Sequence, residues 1–247
     1  MSSQAVTYRT EDRVAIITLN RAAQLNRLDA ELVDGLHHTW HRFMQDDEAR
    51  SAIVTGCEKA FSAGADLKNT PHDLYRGIPG VGVFVDKPVI AAVSGWCIGG
   101  GMVITTMCDL MIVTEDAKFS YPEVKIGFSG GLITTLANRI PHKIAMELLL
   151  IGDTIDARRA YEVGYANEIV ASADLLPRAM ELGRKIAANA PMPTRMLKRF
   201  VDQTIPKGPT ELGSIARSNV DAINASADWQ EGPKAFFEKR NPDFKGN

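Results

Sequence analysis

Apolar and polar residues alternate in blocks along the first half of the chain, and the block lengths switch between strand and helix. Residues 14–19 (VAIITL) form an unbroken apolar run of strand length. Asp29 is placed to cap a helix that runs to about 46, and residues 52–55 (AIVT) return to strand character. A loop of small residues at 60–68 and a Pro- and Gly-bearing stretch at 72–82 follow, then an apolar strand at 88–93 that gives way to a glycine-opened helix at 102–107 and a strand at 110–113. Such alternation predicts a largely parallel sheet with crossover helices.

Beyond Gly131 only residues 166–170 read as extended, and helical patterns take over at 143–151, 157–162 closed by Gly164, 175–189, 194–203, 210–224 and 228–239. The expected organisation is a βα-rich core over 1–190 followed by a helical region over 191–247. A trailing set of amphipathic helices has to bury its apolar faces, which predicts oligomerisation.

Composition narrows the function classes. Apolar residues make up 45% of the 247 and charged residues 23%, and 28 Lys plus Arg against 30 Asp plus Glu leave a net charge of -2. That balance argues against a nucleic-acid surface. No stretch reaches the ~18 apolar residues of a membrane span, and residues 1–4 start no secretory signal, so a cytoplasmic protein with no membrane partner is expected. Cys57, Cys97 and Cys108 form no Cys-x-x-Cys pair and the five histidines no HExxH pattern. His37 and His41 share a face of an otherwise surface-like helix, and no metal site is expected.

Candidate chemistry lies in two loops. Gly99-Gly100-Gly101 precedes an apolar helix, so its backbone N–H groups are free of side-chain cover at the positive end of a helix dipole. In Ala60-Phe61-Ser62-Ala63-Gly64-Ala65-Asp66-Leu67, the small residues Ala63, Gly64 and Ala65 can present amides in the same way. Either loop alone also fits a tight turn. Converging at the ends of neighbouring strands, the two would supply paired donors for an oxyanion, as acyl and enolate chemistry requires. Strand, glycines and helix are also the order of a dinucleotide site, but Ile104 stands where the third glycine of that motif belongs.

The strings AFSAGADLK (60–68), KPVIAAVSGWCIGGG (87–101), CDLMIVTEDAKFSYPEVKIGF (108–128) and AFFEKRNPDFKG (235–246) resemble the enoyl-CoA hydratase/isomerase, or crotonase, family. Leu25-Asn26, Ala145-Met146-Glu147, Asp156-Ala157, Gly164 and Val170 match in the same order, so the resemblance spans nearly the whole chain. It implies an α/β, crotonase-like spiral of ββα repeats with a helical C-terminal trimerisation region, assembled as a homotrimer or a dimer of trimers. It also implies an acyl-CoA thioester substrate, with coenzyme A as part of the substrate and no further cofactor. The enolate oxyanion would be held by the amides of Ala65 and Gly100, within loops that include Ala63, Gly64, Asp66, Leu67 and Gly99. Lys68 would fall near the CoA phosphates or adenine, and Phe236 and Lys239 would contact CoA in an adjoining subunit.

Departures from the family pattern refine that expectation. Typical hydratases carry two glutamates around one water; here the first position is Val103 and the second is Glu123, in Tyr121-Pro122-Glu123. One carboxylate beside an oxyanion hole suits proton shuttling from the carbon alpha to the thioester to the gamma carbon, as in Δ3,Δ2-enoyl-CoA isomerases. Burial among Val103, Phe119 and Tyr121 would raise the pKa of Glu123. The loop from Gly127 lacks the usual proline, and the segment 68–87, with His72, Asp73 and Tyr75, is shorter than in standard hydratases. Hydration, thioester hydrolysis, decarboxylation and a non-catalytic CoA- or RNA-binding role stay open as alternatives.

Overall fold

In the computed structural model, which describes residues 4–246, the chain opens with a hairpin. β1 (Val6–Glu11) pairs antiparallel with β2 (Val14–Leu19) across Asp12 and Arg13, whose positive φ values of 49° and 65° match a type I′ turn. β1 buries Val6 but is otherwise polar and open, and its apolar pattern therefore does not announce it. α1 (Ala30–Gln45) starts where Asp29 accepts a 3.0 Å bond from the Leu32 amide. It buries Leu32, Val33, Leu36, Trp40 and Phe43, one face at helical spacing.

Next come pairs of strands, one long and one short: β3 (Ser51–Thr55) with β4 (Ala60–Ser62), β5 (Val89–Val93) with β6 (Trp96–Ile98) and β7 (Leu110–Thr114) with β8 (Lys118–Ser120), α2 (Gly100–Thr106) standing between β6 and β7. The long strands enter one sheet in the order β1-β2-β3-β5-β7-β10, where β10 is Glu168–Val170, and the short ones a second sheet, β4-β6-β8-β9, where β9 is Thr154–Asp156. Splitting each strand pair between two sheets is what gives the ββα repeat. The long strands run parallel from β2 to β10, and the exceptions are the hairpin and the antiparallel β8–β9 pair.

The second half continues with α3 (His142–Ile151), β9 (Thr154–Asp156), α4 (Ala157–Glu162), β10 (Glu168–Val170), α5 (Leu175–Ala188), α6 (Pro191–Thr204), α7 (Pro209–Asn224) and α8 (Ala227–Glu238). α5 covers one face of the large sheet through Leu175, Ala179 and Met180 against Val14, Ile16, Ile53, Ile90 and Ile112. α1 and the loops around it close the other face. α6 buries none of its own residues and is tied down by Arg195 to Asp86 at 2.8 Å and Lys198 to Asp109 at 2.7 Å. α7 is linked to the core by Tyr75 O–H donating to Asp221 at 2.8 Å and Ser218 O–H donating to the Val81 carbonyl at 3.2 Å.

Two expectations need correction. The strand at 88–93 does not lead straight into the glycine-opened helix, because β6 intervenes, and part of the small-residue loop at 60–68 is β4. Strands of three residues carry no readable periodicity, and pairing with their neighbours decides them. The helix itself begins at Gly100.

One buried polar side chain braces the loop after β4. Asn26, at φ 51°, is 0% exposed; its Oδ1 accepts from the Arg21 amide at 2.8 Å, and its Nδ2 donates to the carbonyls of Ala60 (3.2 Å) and Phe61 (3.1 Å). Ser62 O–H donates to the Asn26 carbonyl, the Ala63 amide to Leu25, the Leu28 amide to Gly64 and the Asp66 amide to Leu28. Removing the amide by Asn26→Ala takes the acceptor from the Arg21 amide and a donor from the carbonyls of Phe61 and Ala60, the latter keeping the Cys57 amide. It should lower unfolding free energy by about 2–4 kcal/mol, measured by urea denaturation.

Candidate active site

The braced loop carries Ala65 to the place where α2 begins. The backbones meet there: a methyl group on Gly64 would lie 3.0 Å from the Ile98 carbonyl oxygen and 3.7 Å from Gly99 Cα. Gly64 and Gly99 also sit at φ 85° and 53°, where a side chain is strained. Among the described residues, neither the Ala65 nor the Gly100 amide has an acceptor within the protein. Both residues line one cavity of about 380 Å³. Two unspent N–H groups on residues that line one cavity can act together as donors to a developing negative oxygen.

Glu123 supplies the carboxyl group of that cavity. It lies on a single 3-10 turn, Pro122–Lys125, begun by a proline with no amide to satisfy and closed by the Ile126 and Phe128 amides, which donate to the Glu123 carbonyl at 3.2 and 3.0 Å. The side chain is 7% exposed, and Oε2 is buried without a hydrogen-bond partner. Oε1 rests against Gly99, at a spot that any side chain there would occupy. Burial raises the pKa of Glu123 to about 7, because few dipoles compensate the charged form, its own backbone amide being the opposing influence. Tyr121 beside it is pushed up to about 12 by burial and by the Glu123 charge.

The remaining wall is mostly apolar. Val103, 4% exposed, lines it one turn into α2, with Pro71, Leu74, Tyr75, Phe128 and Leu132 around it. Thus Ala65, Gly100, Val103, Tyr121 and Glu123 come together at one cavity, and Ala63, Gly64 and Gly99 form the backbone directly behind it. Asp66 turns inward instead: it is 6% exposed, takes the Lys68 amide at 3.1 Å and pairs with Arg27 at 3.4 Å, a role in holding the loop. Leu67 and Lys68 are exposed outside the lining. Phe236 and Lys239, at the end of α8, are exposed and are not brought to this cavity within the chain.

Of the residues in the shortened segment, His72 and Tyr75 line the cavity, whereas Asp73 pairs with Arg76 at 3.0 Å. Sequence reasoning missed the contribution of α7, Thr210 and Ser214, whose only signal is their spacing of one helical turn. A larger cavity of about 610 Å³ lies beneath α6 and shares no lining residue with the Glu123 cavity, and its Asp86 and Asp109 are paired with Arg195 and Lys198. No cluster of three or more metal-ligating side chains exists among the described residues. No helix among them is long and apolar enough to cross a membrane.

Two unbonded backbone amides and one buried carboxyl group at a single cavity can hold a developing oxyanion and carry a proton, and they are set in a fold of two-sheet ββα repeats. Residues 9–247 match the family model described as enoyl-CoA hydratase/isomerase, and the chain belongs to that family. Relatives include (E)-benzylidenesuccinyl-CoA hydratase of Thauera aromatica, 34% identical over 98% of this chain and 99% of that protein. Carnitinyl-CoA dehydratase of Proteus mirabilis is 34% identical over 99% of each chain. Among solved structures, a carnitinyl-CoA hydratase from Mycobacterium avium superposes with a TM-score of 0.77 at 32% identity, over the full length of both chains. The fold is therefore crotonase-like, α/β with mixed sheets and a helical C-terminal region.

The raised pKa carries a sign for stability. The folded chain holds the Glu123 proton more tightly than the unfolded chain, so stability falls as pH rises from about 4.5 to about 7 and levels off above. Glu123→Gln, which mimics the neutral form, should raise Tm relative to the parent more at pH 8 than at pH 5, as read by calorimetry.

Proposed function

We propose that the chain is an acyl-CoA enzyme that shifts a carbon–carbon double bond, of the Δ3,Δ2-enoyl-CoA isomerase type, with Glu123 as the proton carrier. The thioester carbonyl would accept from the Ala65 and Gly100 amides. Glu123 would take a proton from the carbon alpha to the carbonyl, leaving an enolate whose charge rests on that oxygen, and return it to the gamma carbon. Atoms balance without water, and coenzyme A enters as part of the substrate with no added cofactor. The observation that carries the reading is that, among the described residues, Glu123 is the one carboxylate lining the cavity, with Val103 at the position where the family resemblance places a second.

Around this centre, Lys68 would approach the CoA phosphates or adenine, with Ala63, Gly64, Asp66 and Leu67 shaping the loop it stands on. Phe236 and Lys239 would reach the CoA of an adjoining subunit in a homotrimer or dimer of trimers, in the cytoplasm. The exposed apolar side chains of α6 to α8, Met192, Phe200, Ile223, Trp229 and Phe236 among them, support assembly. Mass-resolved chromatography should return a mass of three or six chains. Hydration is the second reading, favoured by relatives whose names are hydratases and dehydratases.

Turnover of 3-enoyl-CoA and 2-enoyl-CoA thioesters followed by mass spectrometry separates these readings. Isomerisation leaves the mass unchanged, and hydration adds one water. Glu123→Gln should lower the rate by about 10²–10⁴ while CoA-thioester binding persists. The parent rate should rise with pH to a plateau above about 7, as the base form of Glu123 accumulates. Val103→Glu restores a second carboxylate and should raise the share of hydrated product. A fully active Glu123→Gln would sink the mechanism, and hydrated product from the parent would favour the second reading.

A further inference from the structure

The acyl cavity is built from two kinds of wall. Core elements supply Ala65, Leu74, Val103, Tyr121, Phe128 and Leu132, so the side reached by the acyl carbons is chiefly apolar or aromatic. α7 supplies Thr210 and Ser214, two hydroxyl side chains spaced one turn apart on the same helix face.

These hydroxyls differ in their bonding from several others beside the cavity or on helices. Thr70 O–H donates to the Asp66 carbonyl, and Tyr75 O–H to Asp221. Helical Thr194 donates back to Ala190 and Thr105 to Met102, the usual way a helix absorbs such a group. Thr210 and Ser214 make no hydrogen bond of this kind among the described residues; Thr210 is exposed and Ser214 half-buried, and a methyl group on Gly131 would strike the Thr210 Oγ1. Their wall is also fixed in place, since α7 is pinned to the core by Tyr75–Asp221 and Ser218–Val81. The cavity thus presents two positioned, unspent donor–acceptor groups facing an apolar side.

We infer that Thr210 and Ser214 select the acyl group, favouring chains that bear an oxygen function, a hydroxyl, oxo or carboxyl group, over plain hydrocarbon chains of equal length. This rests on the reading of the cavity as an acyl-CoA site and holds for either double-bond shift or hydration. An oxygen function bonds the α7 hydroxyls and leaves no polar group unpaired; a hydrocarbon chain displaces water from them and returns nothing. Two neutral hydrogen bonds at a partly open wall correspond to a preference of about tenfold or more.

The experiment compares kcat/KM for pairs of unsaturated acyl-CoA thioesters of equal chain length, with and without an oxygen substituent beyond the reacting carbons. Parent protein, Thr210→Val, Ser214→Ala and the double variant are each assayed, with folding checked by circular dichroism. The parent should prefer at least one oxygenated partner by about tenfold or more, chiefly through KM, and the double variant should bring that ratio close to one. Each single variant should remove part of it. A parent with no preference, or a folded double variant that keeps it, overturns the inference. Loss of turnover on every thioester in Glu123→Gln, together with an unchanged ratio in the α7 variants, would leave the acyl-CoA reading standing and remove this one alone.

Discussion

Everything at the site depends on two backbone segments approaching more closely than side chains would permit. Gly64 and Gly99 face each other, Gly101 leans on Ser62 so that a methyl would lie 2.9 Å from its Cβ, and Gly99 leaves room for the Glu123 carboxyl group. Only with those positions bare can the amides of Ala65 and Gly100 open onto one cavity. Glycine runs are entropically costly to order, so something else has to hold them. Asn26 does so on one side, by bonding the carbonyls of β4 with its side-chain amide and taking Ser62 O–H on its own carbonyl. On the other side, the Gly99 amide is fixed to the Ser120 carbonyl of β8 and the Gly99 carbonyl accepts from Val103.

This division of labour explains which parts of the molecule can be read from sequence. β2, β3, β5 and β7 are apolar runs long enough to stand out, and α1 and α5 carry clear faces. β4, β6, β8 and β9 are three residues each, and their existence is a property of their pairing, which no local pattern encodes. At the site, the two runs of small residues are legible as candidate amide donors, though each also fits a tight turn, and the family resemblance singles out Ala65 and Gly100 within them. Glu123 is legible only through the family resemblance, since a carboxylate after Tyr-Pro reads locally as a turn. Thr210 and Ser214 were invisible for a different reason. On an amphipathic helix hydroxyls look like the solvent face, and what brings these two to the cavity wall is the placement of α7 by contacts to residues more than a hundred positions earlier.

Val103 and Glu123 are best understood together. A second carboxylate at the valine position would share the cavity with Glu123, and mutual repulsion would keep one of the pair protonated. With valine there, the same elevation of the Glu123 pKa comes from desolvation alone, so the group keeps its affinity for a proton without a charged neighbour. A pKa of about 7 leaves comparable amounts of acid and base at neutral pH. Under the proposed double-bond shift, a group that removes a proton from one carbon and delivers it to another within a single turnover needs that balance: with a pKa far below 7 it would be too weak a base to take the first proton, and with one far above it would rarely be ionised to begin. The unbonded Oε2 is consistent with the same requirement, because a carboxylate held by strong donors would be ionised more readily but would be a weaker base. The apolar wall around Val103 therefore sets the proton affinity of the site as well as its shape.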